Sequence, residues 1–162
     1  MNREKLPYRK NCEGYFVYNN KFIIAKDRES YIEFPGGGVE NNEELIDAVK
    51  REALEEAGAI ISEIKPIGVL YFIWDKNWAK TIKQKERYKK FKGEEMHFFI
   101  GKVNKILDTP ENGNKFEWEG KKIIEVKDII KKLNNLKPYS SEIKEYREFQ
   151  LKIMNELLTK SI

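Results

Sequence analysis

A chain of 162 residues, 40% of them hydrophobic, has room for one core and not for two, so a single domain over residues 1–162 is expected. Its 31 Lys+Arg against 27 Asp+Glu leave +4, and 36% charged residues of both signs describe a solvated surface, not a nucleic-acid arm; no stable nucleic-acid partner is expected. The single cysteine, Cys12, excludes an internal disulfide and a cysteine zinc cluster, and no apolar run nears the roughly 18 residues of a membrane span.

The opening MNREKLPYRK has no apolar segment behind its charges, so no signal peptide and a cytoplasmic location are expected. Cys12 to Tyr18 reads as a strand, with Cys12 as a core residue. Asn19-Asn20 reads as a hairpin turn, since Asn tolerates positive φ, and Phe22 to Ala25 continues as strand. Tyr31 to Phe34 is a brief strand ending at Pro35, and Gly36 to Gly38 follow as a glycine turn. A helix is expected from Glu43 to Ala57, stopped by Gly58, with Ile46, Val49, Ala53 and Ala57 as its apolar stripe.

Ile64 to Trp74 and Met96 to Val103 read as strands. Between them Lys76 to Lys92 is a basic insertion, a solvated loop or helix or else a contact for substrate phosphates. Trp78, Ile82, Tyr88 and Phe91 interrupt its charges, so it packs against something. Ile123 to Val126 reads as a short strand and Asp128 to Leu133 as a short helix. A last helix covers about residues 141–158, capped by Ser140 or Ser141, with Ile143, Tyr146, Ile153 and Leu157 on its apolar face. Its position leaves room for a homodimer.

The chemistry concentrates between Gly37 and Ala59. Glu52, Glu55 and Glu56 stand at i, i+3, i+4 and share one helix face within about 100° of arc. Like charges so placed repel, and Arg51 is one cation among them. Either the face is solvated, or a hard divalent cation binds it through oxygen ligands. The spacing G-x5-E-x7-R-E-x2-E-E-x-G is met by Gly37, Glu43, Arg51, Glu52, Glu55, Glu56 and Gly58.

This segment resembles the Nudix box, the signature of the Nudix hydrolases. Ala53 and Ala59 stand where relatives carry larger aliphatics, and Asn42 where many carry Gly. The resemblance implies an α/β fold, a three-layer α/β/α sandwich with a mixed central sheet. It implies metal-dependent hydrolysis of a diphosphate linkage in a nucleoside diphosphate derivative. Mg²⁺, with Mn²⁺ able to substitute, would be held by Glu52, Glu55, Glu56 and the Gly37 carbonyl. Glu43 and Arg51 would support the loop–helix–loop. A small-molecule nucleotide, first of all a nucleoside triphosphate or a modified one, is the expected substrate. An ADP-ribose or nucleotide-sugar diphosphatase, a non-catalytic nucleotide sensor and an RNA 5′-end pyrophosphohydrolase stand as alternatives.

The general base is left open among Glu55, Glu56, Glu94, Glu95, Glu111 and Glu117. Trp74 or Trp78 at the end of their strand are candidates to stack a base, with Phe72 and Trp74 on one strand face and Tyr71 on the other. His97 is the sole histidine and reads as structural. No Gly-x-Ser-x-Gly element or P-loop accompanies these residues.

Overall fold

The computed structural model describes residues 2–110, 115–137 and 141–160. Glu111 and Ser140 lie outside these residues, as does the side chain of Ser141.

Strand β1 (Tyr8–Tyr18) runs through the centre of a mixed sheet. The two asparagines after it take φ of 50° and 65°, the left-handed conformation that lets the chain reverse into β2 (Phe22–Ile24). A small hairpin follows, β3 (Lys26–Asp27) with β4 (Ile32–Glu33). Next come β5 (Gly36–Gly38) and helix α1 (Leu45–Ala57). The two longest strands, β6 (Ala59–Ile73) and β7 (Gly93–Ile106), pair antiparallel, with helix α2 (Ile82–Lys90) between them in the chain. The chain closes with β8 (Ile123–Glu125), α3 (Val126–Asn135) and α4 (Ser141–Thr159). The sheet order is β6-β7-β1-β2-β8, with β5 on β1. β1 and β7 are parallel and the other pairs antiparallel, so the sheet is mixed as expected.

Alternation along β1 divides two cores. Cys12 and Phe16 face α1, where Ala48, Val49, Ala53 and Ala57 bring the helix close to the sheet. Tyr15 and Val17 face α3 and α4, against Ile129, Leu133, Ile153, Met154 and Leu157. The C-terminal helix therefore uses its apolar face in its own core. Ile46, expected in the α1 stripe, sits in the first helical turn and is exposed; Ala48 is buried in its place.

The glycine triplet is not a turn. Gly36, Gly37 and Gly38 are extended and pair with Glu13, Cys12 and Asn11. Their use is close approach: a Cβ on Gly37 would stand 2.6 Å from Glu52 Oε1. β1 also begins four residues before its expected start, because parallel pairing with β7 already holds Tyr8 opposite Gly93.

One carboxylate is buried on the α4 side of β1. Glu13 accepts hydrogen bonds from Tyr15 Oη at 2.6 Å, from Tyr146 Oη and from Gln150 Nε2 at 3.4 Å. Burial pushes its carboxyl from the ordinary 4.5 up to about 7, against the pull of those donors. A folded-state pKa above the unfolded one stabilises most below about pH 4.5, and that contribution is lost as pH rises through about 7. Melting temperature in chelator is expected to fall over this window, and Glu13→Gln to flatten the fall. An identical slope in the variant would assign the titration elsewhere.

Candidate active site

Helix α1 is entered through Asn42, whose φ of 63° makes the turn, and is closed by Gly58 at φ 68°. The Gly58 N–H reaches the carbonyls of Ala53 and Leu54. This fixes the register of the acidic residues along one face of the helix.

Arg51 organises that face. Its Nε and Nη2 hold both Glu43 oxygens at 2.8 and 3.0 Å, and Nη2 also reaches the Gly38 carbonyl at 3.0 Å. Nη1 meets Glu52 at 3.0 Å and Glu55 at 3.2 Å. The forked partner is thus Glu43, and Glu55 receives a single contact. Hydrogen bonding from Arg51, with the Glu40 N–H, holds the Glu43 carboxyl down at about 2.

Glu56 behaves in the opposite way. It is almost wholly buried and accepts one hydrogen bond, from the Gly36 N–H at 2.8 Å. Burial first, then the charges of Glu52, Glu33 and Glu117, push its carboxyl up to about 9. Glu52 is raised too, mainly by burial. Arg51 is the cation bonded to Glu52, no ion pair reaches Glu56 among the described residues, and their all-oxygen donor set fits a hard divalent cation. The set is not closed: among the described residues no three His, Cys, Asp or Glu side chains converge on one coordination centre. Glu52 and Glu55 are turned to Arg51, and Glu56 to Gly36.

The carboxylates form one wall of an open cavity of about 720 Å³. A later loop adds Glu117, because the N–H groups of Glu117 and Trp118 cap the Glu55 and Glu56 carbonyls at 3.1 and 2.8 Å. Basic residues line the cavity too. Arg9 and Asn11 project from β1, and Lys83 and Arg87 come from α2, one turn apart. Arg9 donates to Asn11 at 2.7 Å, and Asn11 donates to Glu94 at 2.6 Å. Burial raises the Glu94 carboxyl. Burial, and the charge of Arg87, lower Arg9. Two guanidiniums thus line the cavity, with the Glu94 carboxylate 3.9 Å from that of Arg9.

Of the base candidates, Glu94, Glu117, Glu55 and Glu56 line the cavity. Glu95 does not; it bonds His97 at 2.8 Å. Trp74 and Trp78 do not line it either. Their rings stack on each other 3.7 Å apart and pin the chain leading to α2. α2 is pinned again by Arg3, which lies over the Tyr88 ring and donates to the Tyr88 and Phe91 carbonyls. Ile82, expected to pack, is 80% exposed. Arg9 and Asn11 were not expected at the site. The helix in the basic insertion had a readable signal, the capping box that Thr81 and Gln84 form at its start.

Comparison with known proteins follows the same lines. The model of the NUDIX domain matches residues 12–147. An RNA pyrophosphohydrolase of Bartonella clarridgeiae is 26% identical over 161 residues, covering 88% of this chain and 91% of the relative. An 8-oxo-dGTP diphosphatase of Buchnera aphidicola subsp. Schizaphis graminum is 35% identical over 89 residues, covering 46% of this chain and 68% of the relative. A Bacillus subtilis pyrophosphohydrolase of solved structure superposes at TM-score 0.61 and 18% identity, over 98% of this chain and 85% of the other. A NUDIX hydrolase from Nitrosomonas europaea does so at TM-score 0.51 and 14% identity, over 88% of this chain and 90% of the other. At these identities the structural likeness is one of fold.

Proposed function

Because the chain belongs to the NUDIX domain family and is a hydrolase of diphosphate linkages, we propose that it acts as one catalytic domain, in the cytoplasm, on the 5′-triphosphate end of RNA. The observation that carries this reading is the basic helix α2, which sets Lys83 and Arg87 on the same cavity as Arg9 and the carboxylates. A polyphosphate in this cavity meets these cations, and carboxylates that suit it once a cation is bound there. On α2, Lys90 stands about 20° from Lys83 at 100° per residue and continues the same basic face, which suits an extended polyanion. The breadth of the match to the Bartonella RNA pyrophosphohydrolase supports the same substrate class.

Glu52, Glu55, Glu56 and the Gly37 carbonyl would hold Mg²⁺, or Mn²⁺ in its place. Such an ion lowers the pKa of a water and polarises a phosphoryl oxygen. Arg51 keeps Glu52 and Glu55 in place. Glu94, partly buried and steadied by Asn11, is suited to take the proton of the attacking water, with Glu117 as the second candidate. Oxygen of that water bonds to the α-phosphorus, the P–O bond to the α,β-bridging oxygen breaks, pyrophosphate leaves with that oxygen, and the RNA keeps a 5′-monophosphate.

The test is a panel with Mg²⁺: a 5′-triphosphorylated oligoribonucleotide, the common nucleoside triphosphates, 8-oxo-dGTP, ADP-ribose and a nucleotide sugar. The oligonucleotide is expected to turn over with the highest kcat/KM, EDTA to abolish turnover and excess Mg²⁺ to restore it. Higher kcat/KM for 8-oxo-dGTP would favour the second reading, a modified nucleoside triphosphate, which the Buchnera relative supports. The paired substitution of Lys83 and Arg87 by Ala should raise KM about 10-fold with little change in kcat, less so at high salt. An unmoved KM at low salt would detach α2 from the substrate.

A further inference from the structure

Helix α2 carries the cations assigned to the substrate, yet little within it holds it together. Its nine residues bury no side chain and set Lys83, Lys85, Arg87, Lys89 and Lys90 against one acid, Glu86. A helix this short is marginal alone, and its like charges three and four residues apart repel. Its shape therefore depends on its two ends.

At the first end the capping box of Thr81 and Gln84 supplies local partners, and Lys83 lies beside it. The last turn, which holds Arg87, is finished from elsewhere in the chain. The Phe91 N–H closes it on the Arg87 carbonyl at 2.9 Å. The Tyr88 carbonyl is one of those that a helix end leaves without an internal partner. Arg3 supplies that partner: Nη1 donates to the Tyr88 carbonyl, and Nη2 donates to the Phe91 carbonyl at 3.1 Å. The guanidinium carbon stands 3.3 Å from the centre of the Tyr88 ring. A cation is thus docked on a basic helix, at the end where the helix dipole favours it.

Arg3 is itself held. It opens a single 3₁₀ turn, Arg3–Lys5, capped by Asn2, whose side chain accepts from the Glu4 N–H at 3.1 Å. The same stretch grips the chain that leaves α2. The Lys92 N–H donates to the Pro7 carbonyl at 3.0 Å, and Lys92 Nζ donates to the Glu4 carbonyl at 3.4 Å. Arg3 does not line the cavity, whereas Arg87 does. Tyr88 stands about 100° around the helix from Arg87, so a clasp on the Tyr88 side leaves the Arg87 side chain free to face the cavity.

We propose that Arg3 is a positioning residue: by closing the last turn of α2 it holds Arg87 on the cavity, and so sets the affinity for the substrate's phosphates without touching them. The inference rests on the reading of Arg87 as a phosphate contact.

The experiment measures kcat and KM at low salt with Mg²⁺, for the substrate of the panel with the highest kcat/KM. Arg87→Ala should raise KM about 5-fold, and Arg3→Ala about 3-fold with kcat within about 2-fold of wild type. The double variant should stay near the Arg87→Ala value, not the roughly 15-fold that independent effects would multiply to. Arg3→Lys keeps the charge and loses the fork across two carbonyls, so it should restore less than about half of the lost affinity. Lys5→Ala, exposed in the same turn, should match wild type. In Arg3→Ala without substrate, amide hydrogen exchange in the last turn of α2 should quicken about 10-fold while β7 keeps its protection. An Arg3→Ala KM equal to wild type overturns the proposal, as do unchanged exchange in α2, a fully multiplied double variant, or a fall in kcat as large as the rise in KM. If Arg87→Ala leaves KM unmoved, the phosphate reading of Arg87 fails and takes the proposal with it. If Arg87→Ala raises KM and Arg3→Ala does not, the phosphate reading stands and the clasp alone fails.

Discussion

Glu56→Gln is expected to lower kcat by about 10²-fold or more while the protein stays folded. The amide keeps an oxygen for the Gly36 N–H, so the contact that seats the side chain survives. What is lost is a negative charge in a place where burial and three neighbouring carboxylates already oppose it. Wild type tolerates that charge only with a cation nearby. A divalent ion must displace the proton that Glu56 holds up to about pH 9, so binding releases protons and tightens as pH rises towards that value. In chelator the variant should melt no lower than wild type at alkaline pH, since a destabilising buried charge is gone. Steady-state kinetics and thermal melts read both effects. A near-normal kcat would mean that the carboxylates are a solvated face and nothing more.

Arg51→Lys should lower kcat by about 10-fold or more and weaken divalent-ion affinity in parallel. Arg51 makes five hydrogen bonds, to Glu43, the Gly38 carbonyl, Glu52 and Glu55, from three nitrogens fixed in one plane. One ammonium cannot reproduce that plane. Glu52 and Glu55 would then drift while the basic wall stays in place, so the ranking of substrates should not move. A changed ranking in the substrate panel would make Arg51 a substrate contact.

The helix of carboxylates was legible because its information is local. Periodicity, the αL stop at Gly58 and the box spacing all lie within one continuous segment. The mixed sheet followed from the resemblance this segment carries. The basic part of the cavity was not legible. Arg9 and Asn11 sit in a polar opening stretch, and only parallel pairing with β7 brings them to Glu94, with Arg9 3.9 Å from its carboxylate. No local pattern encodes a contact of that kind. The glycine triplet misled for a related reason. Glycine favours turns in general, but here the absence of Cβ admits Glu52 and the Cys12 carbonyl from elements distant in sequence. Phe72 and Trp74 were placed on one face by alternation and both are buried, with Tyr71 exposed on the other. The use of the tryptophans was not legible, because Trp74 is covered by Trp78.

The pairing of β1 with β7 also orders the life of the chain on the ribosome. Tyr8 waits for Gly93 and Val17 for Lys102, in each case 93 − 8 or 102 − 17, a delay of 85 residues. Synthesis at roughly 5–20 residues per second leaves β1 without its partner for several seconds. During that interval the apolar stretch Tyr15 to Val17 has no sheet to join on that edge. A nascent chain that ends before Gly93 cannot complete the centre of the sheet, so folding is a late event that closes a long loop, and slow for the size of the protein. Arrested chains should become resistant to protease only once β7 has cleared the exit tunnel.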